Sequence, residues 1–291
     1  MLDKIIIKIK NKSWKSFVTS LDIRYGLGAL ERNLASNWFN PFLTIWLNFR
    51  SFPMSVAIFF PVFVYGRPRI YGLSGNMEVK GKVVPGMIKF NQTRNGSPSN
   101  MDVHSEICNN GLIIFRGRGI IGTGCRIFVA QGKVLDFGAN FKITDMCNIG
   151  CFSGIIIGEQ SRITHRCQIL DANYHYVANF NKKLVPYWTK PIKIGKGCWI
   201  CNSVTISSGA ILPDFTIVAS NSLVSKDFSD IPESSMIGGI PAKYLASGLR
   251  RIENVDIERK IGNFYKQNPK GIFEIPSEDT PEIYSKILRF K

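Results

Sequence analysis

Residues 192–226 read IKIGKGCWICNSVTISSGAILPDFTIVASNSLVSK, and an aliphatic side chain returns in them at every sixth position: Ile194, Ile200, Ile206, Leu212, Val218, Val224. Two places before each stands a smaller or medium residue: Ile192, Cys198, Val204, Ala210, Thr216, Ser222. A helix repeats at about 3.6 residues and a strand at two, so a period of six belongs to neither alone. It fits a three-sided coil in which each hexad supplies one short flat strand and one corner, with both marked residues facing inward. Successive coils then stack at about the 4.8 Å of strand pairing. Upstream the frame continues through Ile121, Ile127, Phe137, Ile143, Ile149, Ile157, Ile163 and Ile169, with insertions of four and two residues at 127–137 and 149–157. Gly122, Gly150, Gly158 and Gly195 follow aliphatic positions, where the chain is expected to bend. The expectation is an all-β parallel β-helix over 119–229, with repeat architecture as the decisive signal.

Working outward, the repeat fades on both sides. Residues 70–113 are short apolar pieces broken by Gly and polar turns, read as strands or irregular first coils, with a loop at 91–100. Residues 1–66 are basic and aromatic. Their apolar run at 54–65 (MSVAIFFPVFVY) is twelve residues long and broken by Pro61, whereas a membrane span needs about 20. It reads as a helical lid over one end of the core, or as an interfacial anchor with Arg50, Arg67 and Arg69 at headgroup level. Residues 246–265 (ASGLRRIENVDIERKIGNFY) look helical and charged, a cap for the last coil. The expected organisation is a helical segment 1–66, a β-helix 67–243 and a C-terminal helix and tail 244–291.

The chain has 291 residues, 45% hydrophobic and 20% charged, the balance of a soluble globular protein, and a formal charge of +16. Helix-turn-helix spacing, zinc-finger spacing and RNA-binding aromatics do not accompany that charge, so nucleic acid is not the expected partner. A ligand carrying several phosphates or an anionic leaflet suits it better. Seven cysteines are scattered through apolar runs, and Cys198 and Cys201, a C-x-x-C, both fit the repeat frame. Free thiols in a reducing cytoplasm are expected, and no metal. The N-terminus alternates Lys with Ile and lacks a small-residue cleavage site, so no signal peptide is read there. The expected location is the cytoplasm, with peripheral contact at the inner face of a bacterial plasma membrane through residues 38–66.

Residues 194–228 (IGKGCWICNSVTISSGAILPDFTIVASNSLVSKDF), the loop DANYH at 171–175 and the late GGIPAKYL at 238–245 resemble the hexapeptide-repeat acyltransferases, in particular the sugar O-acetyltransferases of capsule and lipopolysaccharide assembly. The resemblance covers about 119–245. It implies a left-handed winding, acetyl-CoA as co-substrate, a sugar or polysaccharide acceptor, which a lipid carrier could present, and a homotrimer with sites between adjacent prisms. Cys201 stands where the family usually has Gly, and Ile240 where it usually has Asn.

Between Ile169 and Ile194 the repeat is interrupted, so a loop (170–193) leaves the prism, and loops on rigid scaffolds carry sites. A sugar hydroxyl needs a base near pKa 7, a task that neutral imidazole suits. The resemblance puts the catalytic histidine in this loop, as His175. Asp171 is expected to accept from its other ring nitrogen, and Asn202, after W-I-x, to donate to the oxyanion. Trp199 faces outward by the frame and calls for cover from a neighbouring subunit or the acyl-donor arm. By resemblance, pantetheine pairs with backbone near Gly209 and Ser220, and Ser225, Lys226, Lys243 and Arg250 are donor-site candidates. Asn148, His165 and Tyr174 are candidate acceptor contacts, His165 as an outward residue of a flat strand. His104 has no evident partner.

Three other readings stay open at this stage. One is N-acylation of an amino sugar on a nucleotide carrier. A second is a zinc hydratase, which needs three converging histidines that the 165/175 spacing fits poorly. A non-catalytic scaffold or membrane-docking module is the third.

Overall fold

The structure, a computed structural model, describes residues 38–92 and 103–286. Expectations for 1–37, and for the loop at 91–100 beyond Gln92, lie outside them. Three parallel sheets form the faces of a triangular prism. The first face begins at Val62–Val64 and Ile88–Phe90 and continues through Gly119–Ile121, Phe141–Ile143, Arg162–Ile163, Trp199–Ile200 and Ile217–Val218 to Met236–Gly239. The second holds Arg69–Tyr71, Glu106–Asn109, Arg126–Val129, Asn148–Cys151, Gln168–Leu170, Thr205–Ser207 and Leu223–Val224. The third holds Asn76–Val79, Leu112–Phe115, Val134–Phe137, Ile155–Ile157, Ile192–Ile194 and Ile211–Leu212.

The hexad frame predicts this interior residue by residue. Ile121, Ile143, Ile163, Ile200 and Val218 pair in register up the first face, all buried. The residues two places earlier are buried as well: Ile192, Cys198, Val204, Ala210, Thr216 and Ser222. The insertions fall in corners, at 130–133 and 152–154, and leave the strands in register. Lower down the interior is aromatic. Phe115, Phe137 and Phe141 stack with centroids 4.5–6.3 Å apart, and a Cβ on Gly119 would collide with the Phe141 ring. The small inward cysteines donate to carbonyls of neighbouring coils, Cys147 Sγ to Thr164 O at 3.0 Å and Cys198 Sγ to Pro213 O at 3.2 Å. Burial pushes the Cys198 thiol up to about 12, so the C-x-x-C contributes a packed thiol to the core. Among the described residues, no group of His, Cys, Asp and Glu could hold a metal ion.

The base of the prism is closed by helix α1 (Pro41–Ser51), followed by the short α2 (Met54–Ala57). The first strand has an open edge, and α1 pairs it with side chains. Val62 N donates to Asn48 Oδ1 (3.1 Å), Asn48 Nδ2 donates to Val62 O (2.7 Å), and Val64 N donates to Thr44 Oγ1 (3.0 Å). An edge satisfied in this way offers no template for another strand.

At the other end one expectation needs correction. Ala242–Ala246 is a strand antiparallel to Met236–Gly239, and the helix expected from 246 starts only at α3 (Val255–Gln267). Asn254 sets that start by accepting from the backbone of Asp256 and Ile257. A last helix, α4 (Pro281–Ser285), follows. The segment between strand and α3 lies against the first face. Arg162 Nη2 donates to Glu253 at 2.8 Å, Arg251 lies 5.3 Å from the Trp199 ring, and Arg250 lies 3.5 Å from the Phe215 ring. Burial lowers Arg162 to about 10, which leaves it charged at neutral pH, and the Glu253 carboxylate beside it compensates that half-buried charge.

Candidate active site

The arm that leaves the prism occupies residues 171–191, between the strands Gln168–Leu170 and Ile192–Ile194. It is a narrow antiparallel excursion, bridged at Ala172 with Thr189 and at Asn179 with Leu184. Its root is held by Asp171, which is fully buried. The carboxylate accepts three backbone N–H groups, from Phe152 (2.7 Å), Ser153 (2.8 Å) and Gly154 (2.7 Å). Those amides belong to the corner of the preceding coil, so Asp171 clamps the arm to the scaffold. This corrects its expected role: its hydrogen bonds go to backbone, and the His175 ring is not among its partners. His175 itself is exposed, and among the described residues its ring has no hydrogen-bond partner.

Beside the arm a groove of about 540 Å³ runs along the second face. Its floor is the outward side of that sheet, where Glu106, Arg126, Asn148 and Gln168 stand in register on successive coils. It extends from Tyr71 on the first coil to Tyr174 on the arm. Four coil steps separate Tyr71 from the strand Gln168–Leu170, where the arm departs, about 19 Å at 4.8 Å per step. Gly150 opens the floor. A Cβ there would lie 2.7 Å from Leu170 Cδ2 and 3.5 Å from the Tyr174 hydroxyl. Burial, and then the Asp171 charge, push the Tyr174 hydroxyl up, so it stays a protonated donor.

An aromatic wall joins groove and arm. Phe128 and Phe152 stack at 4.9 Å, and Phe152 meets Tyr174 edge-on at 5.0 Å and Trp188 at 5.8 Å. Tyr187 and Tyr176 continue the row outward. Aromatic rings with nearby amides, hydroxyls and charges suit a ligand with apolar faces and polar edges.

The other expected site residues fall into three groups. Asn148 and Tyr174 line the groove. Asn202, Ser220 and His165 lie on one prism edge, between first and second faces, where Ser203 N donates to His165 O and Asn221 N to Asn202 O. His165 is therefore a half-buried corner residue, and not part of a flat strand. Gly209, Ser225 and Lys226 lie on the opposite edge, from which the arm also leaves, with Gly209 N donating to Lys190 O at 3.2 Å. Lys226 is exposed and 4.8 Å from the Phe228 ring.

Trp199, Lys243 and Arg250 belong to the first face and its covering segment. The cover expected for Trp199 from another molecule is supplied by Arg251 of the same chain. Arg250 is also engaged, stacked on Phe215 and near Ser285 and Glu282. Lys243 is exposed. His104, read as partnerless, has Nδ1 3.2 Å from Arg67 O. Sequence reasoning missed Arg126, Gln168, Phe152 and Trp188. The frame contained a signal for the first two: each directly precedes an inward isoleucine on the second face.

Comparison with known proteins gives two named O-acetyltransferases and one uncharacterized protein among the relatives of this chain. The chain is 26% identical over 147 residues to a putative lipopolysaccharide biosynthesis O-acetyl transferase of Escherichia coli, WbbJ, covering 48% of this chain and 74% of that protein. It is 33% identical over 165 residues to an uncharacterized 24.8 kDa protein in the cps region of Klebsiella pneumoniae, covering 54% and 72%. It is 25% identical over 119 residues to the galactoside O-acetyltransferase of Escherichia coli, covering 41% and 57%. No family model matches.

Proposed function

We propose that this chain is a hexapeptide-repeat, left-handed β-helix acyltransferase of the branch that O-acetylates sugars, as its similarity to the two Escherichia coli O-acetyltransferases supports, and from that premise we assign its acceptor and its machinery. It moves an acetyl group from acetyl-CoA to a hydroxyl of a sugar in a surface polysaccharide, capsule or lipopolysaccharide, or its precursor. The observation that carries this reading is the groove of about 540 Å³ ending at Tyr174, the residue immediately before His175.

The His175 imidazole takes the proton of the sugar hydroxyl as the hydroxyl oxygen attacks the thioester carbonyl carbon. The C–S bond then breaks, and the imidazolium returns the proton to the leaving thiolate. Transfer is direct, so no covalent bond to the enzyme forms. The Asn202 side-chain amide donates to the oxyanion of the tetrahedral intermediate. Asp171 acts as a positioning residue, holding the root of the arm through three amides. The sugar lies on the aromatic wall, with Asn148, Gln168, Arg126 and the Tyr174 hydroxyl for its polar edges. Backbone at Gly209 and Ser220 receives pantetheine, and the exposed Lys226 and Lys243 meet the phosphates.

Asn202 and the arm carrying His175 depart from opposite edges of the second face. That separation supports a homotrimer with sites between prisms, in which one copy's Asn202 and another copy's His175 form one centre. The exposed apolar side chains of the arm, Phe180 at 88% above all, suit a loop that reaches a neighbour. The acceptor is carried on a lipid, so the enzyme works at the inner face of the bacterial plasma membrane. No helix among the described residues is long and apolar enough to cross it.

The test is thiol release from acetyl-CoA with and without an isolated capsular or lipopolysaccharide glycan. Release is expected only with glycan, and the product should lose its acetyl group in mild alkali. Release that ignores the glycan would remove the reading. An alkali-stable product would move it to N-acylation of an amino sugar.

A further inference from the structure

Helix α1 wears its polarity the wrong way round for a surface helix. Its inward positions are Thr44, Leu47, Asn48 and Ser51, three of them polar, and all four are buried against the prism base. Its outward positions Phe42, Ile45, Trp46 and Phe49 recur at the same i, i+3, i+4, i+7 spacing and are exposed. Phe42 is 80% exposed. Met54 and Ile58 in the next turns extend the same apolar surface. A contiguous patch of this size on a soluble domain has a partner.

The charges around it say which partner. Residues 33–77 contain no Asp or Glu, and Arg50 and Arg67 stand exposed at the two ends of α1, Arg67 directly after Gly66, whose carbonyl accepts from the helix-capping Asn40. Large aromatics, including a tryptophan, with flanking arginines and no anionic side chain complement an anionic lipid surface. The rings enter the headgroup boundary and the guanidinium groups meet phosphates. The groove gives a second argument. Its lower end, Tyr71, lies on the same first coil that α1 caps, and its upper end, Tyr174, adjoins the arm.

We propose that the outward face of α1, with Met54 and Ile58, is an interfacial docking surface for an anionic bilayer, which stands the prism on its base with the groove leading away from the membrane. The catalytic arm then lies about 19 Å above the first coil, at 4.8 Å per coil. A lipid-linked acceptor must be an extended oligosaccharide to reach it; the sugar attached to the carrier is too close to the bilayer. The docking surface stands independently of the acetyl-transfer reading.

The experiment is co-sedimentation of the full chain with vesicles of phosphatidylglycerol and phosphatidylethanolamine, beside vesicles of phosphatidylcholine alone. Binding to the anionic vesicles is expected, weakened by salt and at least about tenfold weaker in a Phe42→Ser/Trp46→Ser variant, since each buried aromatic is worth more than a decade. An Arg50→Glu/Arg67→Glu variant, altered only at exposed positions, should fall likewise. Melting temperature and thiol release with a soluble glycan should be unchanged in both, which separates failure of docking from failure of the chemistry. Absence of vesicle binding by the full chain would overturn the proposal, in favour of cover by residues 1–37. So would unchanged binding of both variants, or a loss confined to self-association in sedimentation, which would make the face a contact between copies.

Discussion

Residues 192–224 and residues 171–191 are neighbours in sequence and opposites in construction. In the first, every marked inward side chain from Ile192 to Val224 is buried, and each short strand pairs with the coil below, four of the six also with a strand above. In the second, Asp171, Ala172 and Thr189 are buried at the root, Trp188 is half-buried, and the remainder up to Lys190 is exposed. Stacked hexads exclude water and fix geometry, because a coil within the stack is held on two sides. The arm has almost no core of its own and is oriented by a single buried carboxylate at its base. The contrast teaches where stability ends and chemistry begins: the regular coils make a rigid edge, and the arm presents an imidazole from it.

That contrast can be broken in graded steps. Ile206→Ala, in the middle of the ladder, should lower unfolding free energy by about 2–5 kcal/mol, because close-packed neighbours above and below cannot collapse into the space. Denaturant unfolding measures this, and KM should stay as it was. Asp171→Ala should cost less globally, about 1–3 kcal/mol for the amides left unpaired. Its signature is local. Limited proteolysis should cut the arm near 177–185 faster, and kcat/KM should fall while coenzyme A binding is retained.

Tyr174→Ala should have the smallest effect. It removes an edge-on contact worth about 0.5–1.5 kcal/mol, so the KM for glycan should rise roughly two- to tenfold with melting temperature unchanged. If Tyr174→Ala unfolded the protein, or Ile206→Ala acted only on KM, the division between scaffold and arm would be mistaken.

The prism was legible because its physics is periodic. A residue that must face inward on every coil leaves a mark every six positions, and Ile194, Ile200 and Ile206 carried it without a break. Corners, insertions and the arm's departure followed from where that mark lapses. The site was only partly legible, since it is built across the period. Asp171 looked like a partner for His175 because the two are four residues apart. In the fold its oxygens turn to the amides at 152–154, which sequence distance hides. Trp199 and Arg250 looked available to a second molecule because nothing in the hexads foretells that residues 250–253 fold back over the first face. The groove was half visible: Asn148 and Tyr174 were read, while Arg126 and Gln168 occupy the same outward register one coil away on either side.

The central claim is that the arm's imidazole removes the acceptor's proton, and steady-state thiol release by His175→Ala tests it most directly. With saturating glycan and acetyl-CoA, kcat should fall by about 10²- to 10⁴-fold, the range for loss of a general base, with melting temperature and coenzyme A affinity unchanged. A variant that keeps its rate within about threefold of the native chain, well under the tenfold that 1.36 kcal/mol of barrier represents, would contradict the account.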